Sequence, residues 1–189
     1  MRIVEAFNRV DVELLLLLNG LVGNPIVDSF MVFMSAKWAW VPLYAFVAYF
    51  VKRKFGWDKM VWLLVSAVVM LIITDQGSVH FFKDVVQRLR PCHNPSLYDS
   101  LTLIQGKCGG KYGFVSSHSS NVFGLATFVF LMFRNSFVGV GVMFVWAALV
   151  SVSRVYLGVH YPSDIFVGAA YGTCVAILVW VIAKKGLDL

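Results

Sequence analysis

The chain is predicted to be an all-α membrane protein, a bundle of about five transmembrane helices with an amphipathic N-terminal helix lying in the membrane interface. Three observations predict this. Of its 189 residues, 59% are hydrophobic and only 14% are charged, against roughly 25% charged in soluble domains. The mean hydropathy is +0.78. Apolar stretches near the ~20 residues that a hydrocarbon core demands recur along the chain. The same composition excludes an ordinary soluble domain and a disordered chain.

In residues 1–22, Ile3, Phe7, Val10, Leu14, Leu17 and Leu21 recur at alternating spacings of four and three, a helical stripe. Glu5, Asp11 and Glu13 break any apolar signal-peptide core. The stripe suits the interface, and the leucine run 14–18 equally suits packing on the bundle. The five predicted spans are 26–51, 60–82, 116–133, 136–153 and 165–183, the first interrupted by Lys37. No internal repeat or second domain stands out, so 1–189 is read as one membrane domain.

Alternating spans bring the N-terminal helix, the long loop 83–115 and the segment 154–164 to one face. On the other face Lys52, Arg53, Lys54 and Lys59 crowd beside the spans, which marks it as cytoplasmic by the positive-inside rule. The formal charge of +6 serves topology and anionic lipid. No nucleic-acid module accompanies it, so nucleic acid is not an expected partner. Cys92 and Cys108 share the long loop. They either form a disulfide in an oxidising compartment or remain two thiols, and a zinc site with His93 lacks a fourth ligand. Cys174 is a small apolar residue of the last span.

Three polar clusters reach the loop face: KDVVQRLRP from Lys83 to Pro91, VSSH from Val115 to His118, and SRVYLGVHYPSD from Ser153 to Asp164. Singly, each has an ordinary explanation. Lys83 and Arg90 snorkel, Ser116 caps a helix and Asp164 meets a helix dipole. Together they form a cationic pocket beside lipid headgroups, where ionisable groups are costly and functional. Neighbouring cations repel by several kcal/mol at intermediate dielectric, so the fitting occupant is a multiply charged anion, phosphate above all. The start of the third span aims its amides at the same point. Two histidines there suggest chemistry, as nucleophile or as proton donor. Pro162 suits the first turn of the last helix, and Asp164, four residues after His160, is placed to hold one of its ring nitrogens.

A lysine, six residues and Arg-Pro (Lys83 to Pro91), Ser-X-His (Ser116 to His118), and Ser-Arg, five residues, His, three residues, Asp (Ser153 to Asp164) together resemble the three signature motifs of the type 2 phosphatidic acid phosphatase superfamily, which includes the vanadium haloperoxidases. The resemblance implies that His160 forms a phosphohistidine, that Asp164 orients it, and that His118 protonates the leaving group. It further implies that Lys83, Arg90, Arg154, the Ser116 hydroxyl and the Ser117 amide bind the phosphate, with no metal and no cofactor. Val115 and Ser117 stand where the family's usual motif has Pro and Gly.

Residues and resemblance thus predict a membrane lipid phosphatase that removes a terminal phosphate from a lipid phosphate or diphosphate. Candidate substrates are undecaprenyl diphosphate, favoured by the compact layout, phosphatidylglycerol phosphate, phosphatidic acid and lipid A. The expected setting is a bacterial inner membrane with the site facing the periplasm or exterior, in an oligomeric state left open. The rivals are a serine-dependent lipid transferase using Ser116, His160 and Asp164, and a non-enzymatic anionic-lipid binding or transport protein. Haloperoxidase chemistry needs bound vanadate, and the membrane architecture argues against it.

Around the motifs, Asp75 is expected to pair with a site cation or to bond another helix, beside Gln76. His80 and His93 are read as structural or solvated, and Arg88 as facing away from Arg90, towards lipid headgroups or solvent. Tyr156 and Tyr161 are assigned to the pocket mouth or the interface, and Lys107 and Lys111 to a solvated loop or a polyanionic headgroup.

Overall fold

The computed structural model describes residues 2–106, 108–135 and 138–187, with side chains from Asn8 onward except at residues 105, 138 and 139. Helix α1 spans Arg2–Asn19. Helix α2, Pro25–Ser35, starts on Asn24, whose side chain accepts from the Ile26 and Val27 N–H groups, with Pro25 at the first position. A 3-10 turn, Lys37–Trp40, leads into α3, Val41–Phe55. Helix α4, Trp57–Gly77, runs on through a π-helical stretch, Ser78–Lys83, into α5, Asp84–Val86. After the long loop come α6 (Ser117–Phe133), α7 (Val142–Tyr156) and α8 (Pro162–Lys185).

Among the described residues, two helices are long and apolar enough to cross a membrane, the continuous Trp57–Val86 of 30 residues and Pro162–Lys185 of 24. Helices α6 and α7 are shorter apolar helices. The predicted first span, 26–51, is not one helix and is corrected. Its two halves meet at 74°, because Ala36 is extended, at φ −79° and ψ 115°. Non-helical backbone at membrane depth persists where it lines a polar cavity, and Ser35 and Ala36 line such a cavity. The Trp40 indole returns to the freed Met34 carbonyl at 3.1 Å.

Helix α1 packs on α7 and α8. Asp11, Leu15 and Asn19, four residues apart, are buried. Asn19 donates to the carbonyls of Thr102 and Tyr156, at 2.9 and 2.8 Å. The predicted stripe points the other way, with Val10, Leu14, Leu17 and Leu21 exposed. One helix therefore satisfies both readings: the face of Asp11, Leu15 and Asn19 packs on the bundle, and the stripe of Val10, Leu14, Leu17 and Leu21 is left for lipid.

Helix α6 forms the axis, packed against α8, α7 and α4. Small residues bring α6 and α8 to backbone contact, as membrane interfaces require. A Cβ on Gly172 would lie 2.0 Å from the Ser120 carbonyl oxygen. Gly172→Ala is expected to cost about 1–3 kcal/mol through overpacking. Its thermal midpoint in detergent should fall below wild type, while Gly141→Ala, with open space around it, should match wild type. The same contact sets the site in register: the Ser116 N–H donates to the Asp164 carbonyl at 3.0 Å, and Ser119 Oγ donates to the Ile165 carbonyl at 2.7 Å.

Candidate active site

His160 lies in the turn between α7 and α8, buried to 1% exposure. Its Nδ1 is 3.1 Å from Asp164 Oδ2, and its Nε2 is 3.0 Å from an Arg90 Nη1. A guanidinium only donates, so Nε2 is the acceptor and Nδ1 carries the proton that the carboxylate receives. The lone pair of Nε2 thus faces the cationic side of the site. Burial, reinforced by the charges of Arg90, Arg154 and Lys83, holds the imidazole well below its ordinary pKa and keeps that lone pair free. Asp164 is held in turn by the Tyr161 N–H, which donates to Oδ2 at 3.0 Å across the first turn of α8.

Arg90 reaches this point from the long loop. The chain leaves the helix at Gln87, which has φ +51°, and Arg90, ahead of Pro91, is extended at φ −63° and ψ 153°. The Arg90 N–H donates to the Lys111 carbonyl at 3.0 Å, and the Gly113 N–H to the Arg88 carbonyl at 2.9 Å. Arg90, Arg154 and His118 line one cavity of about 410 Å³ together with Ser35, Gly109 and Val159. Arg154 is tethered by a hydrogen bond from Nη1 to Ser35 Oγ. The Nε atoms of both arginines are buried without a protein partner, so the site holds donors that an anion would satisfy.

A second cavity, of about 660 Å³, runs among α3, α4 and α6 and is lined by apolar residues such as Val47, Leu64 and Leu125. Ser35 and His118 line both cavities. His118 thus stands where a charged compartment joins an apolar one. Lys37 lies on the apolar side of that junction.

Lys83, at the end of the π-helical stretch, donates to Ser117 Oγ at 2.6 Å. It therefore meets the first turn of α6 beside His118. Ser116 takes the helix-cap role instead: its hydroxyl, fully buried, accepts from the Ser119 N–H at 3.4 Å. Ser116, like His160, Lys83 and Ser117, lies behind the residues that line the cavity, and its hydroxyl is not among the contacts of His160, so no serine triad is assembled among the described residues.

Arg88 corrects a second expectation. It does not face lipid or solvent but donates to Asp164 Oδ1 at 3.1 Å and Asp11 Oδ2 at 2.6 Å, with its guanidinium 3.8 Å from the Tyr161 ring centre. Helical spacing does not apply after Gln87, because in an extended chain residues two apart share a side. The pre-proline position of Arg90 was the signal that would have found this. Asp11, Ser163 and Asn94, which bonds Tyr161 at 3.2 Å, carried no such signal. Tyr156 is neither at the pocket mouth nor in the interface. It is 1% exposed and its hydroxyl donates to the Leu21 carbonyl and to Asp28, since the N-terminal helices cover it. Tyr161 is likewise buried, under Arg88.

Asp75 bonds another helix, accepting from Asn121 at 3.4 Å. His80 pairs with Asp84 at an exposed site, and His93 contacts the Gly109 carbonyl at 3.2 Å. Lys111 is exposed, whereas Lys107 lies outside the described residues. Cys92 and Cys108 are joined in a disulfide with a Cα–Cα distance of 5.9 Å, which withdraws both thiols from any zinc site. The bond closes a loop from Cys92 to Cys108, which Arg90 and Gly109 flank. Replacing both cysteines with serine is expected to cost about 3 kcal/mol for a loop near this length, read as a lower thermal midpoint.

These features are those of an integral membrane protein with a cationic cavity at one end of a helical bundle. The chain belongs to the PAP2 superfamily, whose model matches residues 59–187. It is 35% identical over 184 residues to a lipid A 4'-phosphatase of Bacteroides thetaiotaomicron, covering 96% of this chain and 80% of the relative. It is 37% identical over 179 residues to a lipid A 4'-phosphatase of Porphyromonas gingivalis, covering 94% and 74%. Its fold matches a transmembrane PAP2-type phosphatidylglycerolphosphate phosphatase of Bacillus subtilis with a TM-score of 0.68 at 22% identity, over 95% of this chain and 87% of the other.

Proposed function

We propose that the protein is a membrane lipid phosphatase that removes a terminal phosphate through a phosphohistidine on His160. The observation that carries this is the clamping of His160 between Asp164 and Arg90, with Nε2 turned to the cationic side of the site. In the first step Nε2 attacks phosphorus in line, the P–N bond forms and the bond to the leaving oxygen breaks. His118, where the two cavities meet, gives that oxygen its proton. Lys83, Arg90, Arg154 and the Ser117 amide hold the equatorial oxygens, and the fixed positive charge stabilises the transition state. Arg90 leaves Nε2 for the incoming phosphate, which supplies the partner its Nε lacks. In the second step His118 takes a proton from water, which attacks phosphorus and releases phosphate and free His160.

The apolar cavity supports a lipid: it meets the cationic one at His118, where the leaving group must sit. The two relatives named lipid A 4'-phosphatase favour a lipid A phosphate over the compact-layout preference for undecaprenyl diphosphate. The Cys92–Cys108 disulfide supports a site face in an oxidising compartment, and with it a bacterial inner membrane with the site on the periplasmic side. At the opposite end Lys54 and Lys59 bond the carbonyls of Met132 and Leu187, cations near helix C-termini that support a cytoplasmic reading of that end.

The test is phosphate release by purified protein from lipid A, undecaprenyl diphosphate, phosphatidylglycerol phosphate and phosphatidic acid in detergent micelles. Release from lipid A above the other three is expected. Preference for another of the four keeps the mechanism and replaces the substrate. Binding with no release from any of them would support the non-enzymatic reading.

A further inference from the structure

We propose that Asp11, on the N-terminal helix α1, is a positioning residue for this site, acting through Arg88 on Asp164. The inference rests on the role given to Asp164 above. The two oxygens of Asp164 have separate duties: Oδ2 meets His160 and the Tyr161 N–H, while Oδ1 meets Arg88. The rotation of the carboxylate, and with it the Nδ1–H bond of His160, therefore depends on where Arg88 sits.

Arg88 is itself fixed from three sides. It stacks on Tyr161, donates from Nη1 to Ser163 Oγ at 2.6 Å, and donates from Nη2 to Asp11 Oδ2 at 2.6 Å. Asp11 is 4% exposed and makes two further bonds: Oδ1 accepts from the Ser163 N–H at 2.8 Å, and Oδ2 accepts from the Ser163 hydroxyl. That N–H belongs to the first turn of α8, a donor left unpaired by the helix itself. One carboxylate from α1 thus caps the helix that bears Asp164 and anchors the arginine that holds it. Without the charge of Asp11, Arg88 is free to take both oxygens of Asp164 as a bidentate pair. It would then compete with His160 for Oδ2. Helix α1 reaches this network by the face that bears Asp11, with Leu15 of the same face packed in a cluster with Tyr161 and Ile165.

The experiment uses full-length protein in detergent, with phosphate release from lipid A and the Nδ1–H proton resonance of ¹⁵N-histidine-labelled His160 as readouts. Asp11→Asn keeps the shape and the cap acceptor. It should lower kcat roughly 10- to 100-fold, the range seen when a residue behind a functional group is removed, with KM within about twofold, and should shift the resonance. In an Asp164→Asn background the same change should add almost nothing, because residues acting in one chain are non-additive. Arg88→Lys, which keeps the charge but not the fork, should repeat the loss and serves if Asp11→Asn folds poorly. Wild-type kcat with an unmoved resonance in Asp11→Asn would overturn the proposal, as would losses that multiply in the double variant. Full activity in Asp164→Asn would instead remove the role of Asp164, and this inference with it.

Discussion

Replacing His160 with alanine is expected to lower phosphate release by at least about 10⁴-fold, as deletion of a nucleophile does in other covalent hydrolases. The side chain sits in a fully built cradle, with Asp164 on one ring nitrogen and Arg90 on the other, so alanine removes the proposed attacking atom and one hydrogen bond from each partner. The loss should fall on kcat. In the proposed mechanism Lys83, Arg90 and Arg154 remain to bind the phosphate, and KM should change little. His160→Gln is expected to be as inactive as alanine, because a side-chain amide carries no nucleophilic lone pair on nitrogen. Phosphate release assayed across a range of lipid concentrations separates kcat from KM, and a His160→Ala enzyme with more than a tenth of wild-type kcat would refute the mechanism.

Arg90→Ala should cost about 10²–10³ in kcat, on the order of 3–4 kcal/mol, the size of one preorganised donor at a developing anion. Arg90 touches the nucleophile, lines the cavity and has a buried Nε without a partner. Its loss therefore removes transition-state stabilisation and loosens His160 together. Arg90→Lys keeps the charge but cannot offer a planar fork, and its kcat should lie between alanine and wild type. Equal rates for the lysine and alanine variants would show that geometry alone matters. Wild-type kcat in Arg90→Ala, measured at saturating lipid, would take Arg90 out of the chemistry.

Much of this site was legible in the sequence because it is written in local spacing. Lys83 to Pro91 and Ser153 to Asp164 are single segments whose polar residues interrupt long apolar runs, and alternation across the membrane brought them to one face. His160 and Asp164, four apart with Pro162 between, already implied a ring nitrogen held at the start of a helix. Other features depend on contacts that spacing does not encode. The bend at Ala36 is set by a cavity formed with Arg154 from α7, so a run of apolar residues looked continuous. Arg88 looked misplaced because its helix was assumed to continue past Gln87. Asp11 read only as a charge that breaks an apolar signal-peptide core, because its partners Arg88 and Ser163 lie in remote parts of the chain. Ser116 and Ser117 show the reverse case, in which neighbouring serines divide two roles, one capping α6 and one receiving Lys83.

The covalent step on His160 is tested most directly by trapping the intermediate. Purified protein is mixed with lipid A labelled with ³²P in its 4'-phosphate and quenched in alkali within one turnover. Protein-bound label on the peptide carrying His160 is expected, stable in base and released by acid, as a P–N bond requires, and absent from His160→Ala. Turnover without protein-bound label, or label on a serine that survives acid, would contradict the account.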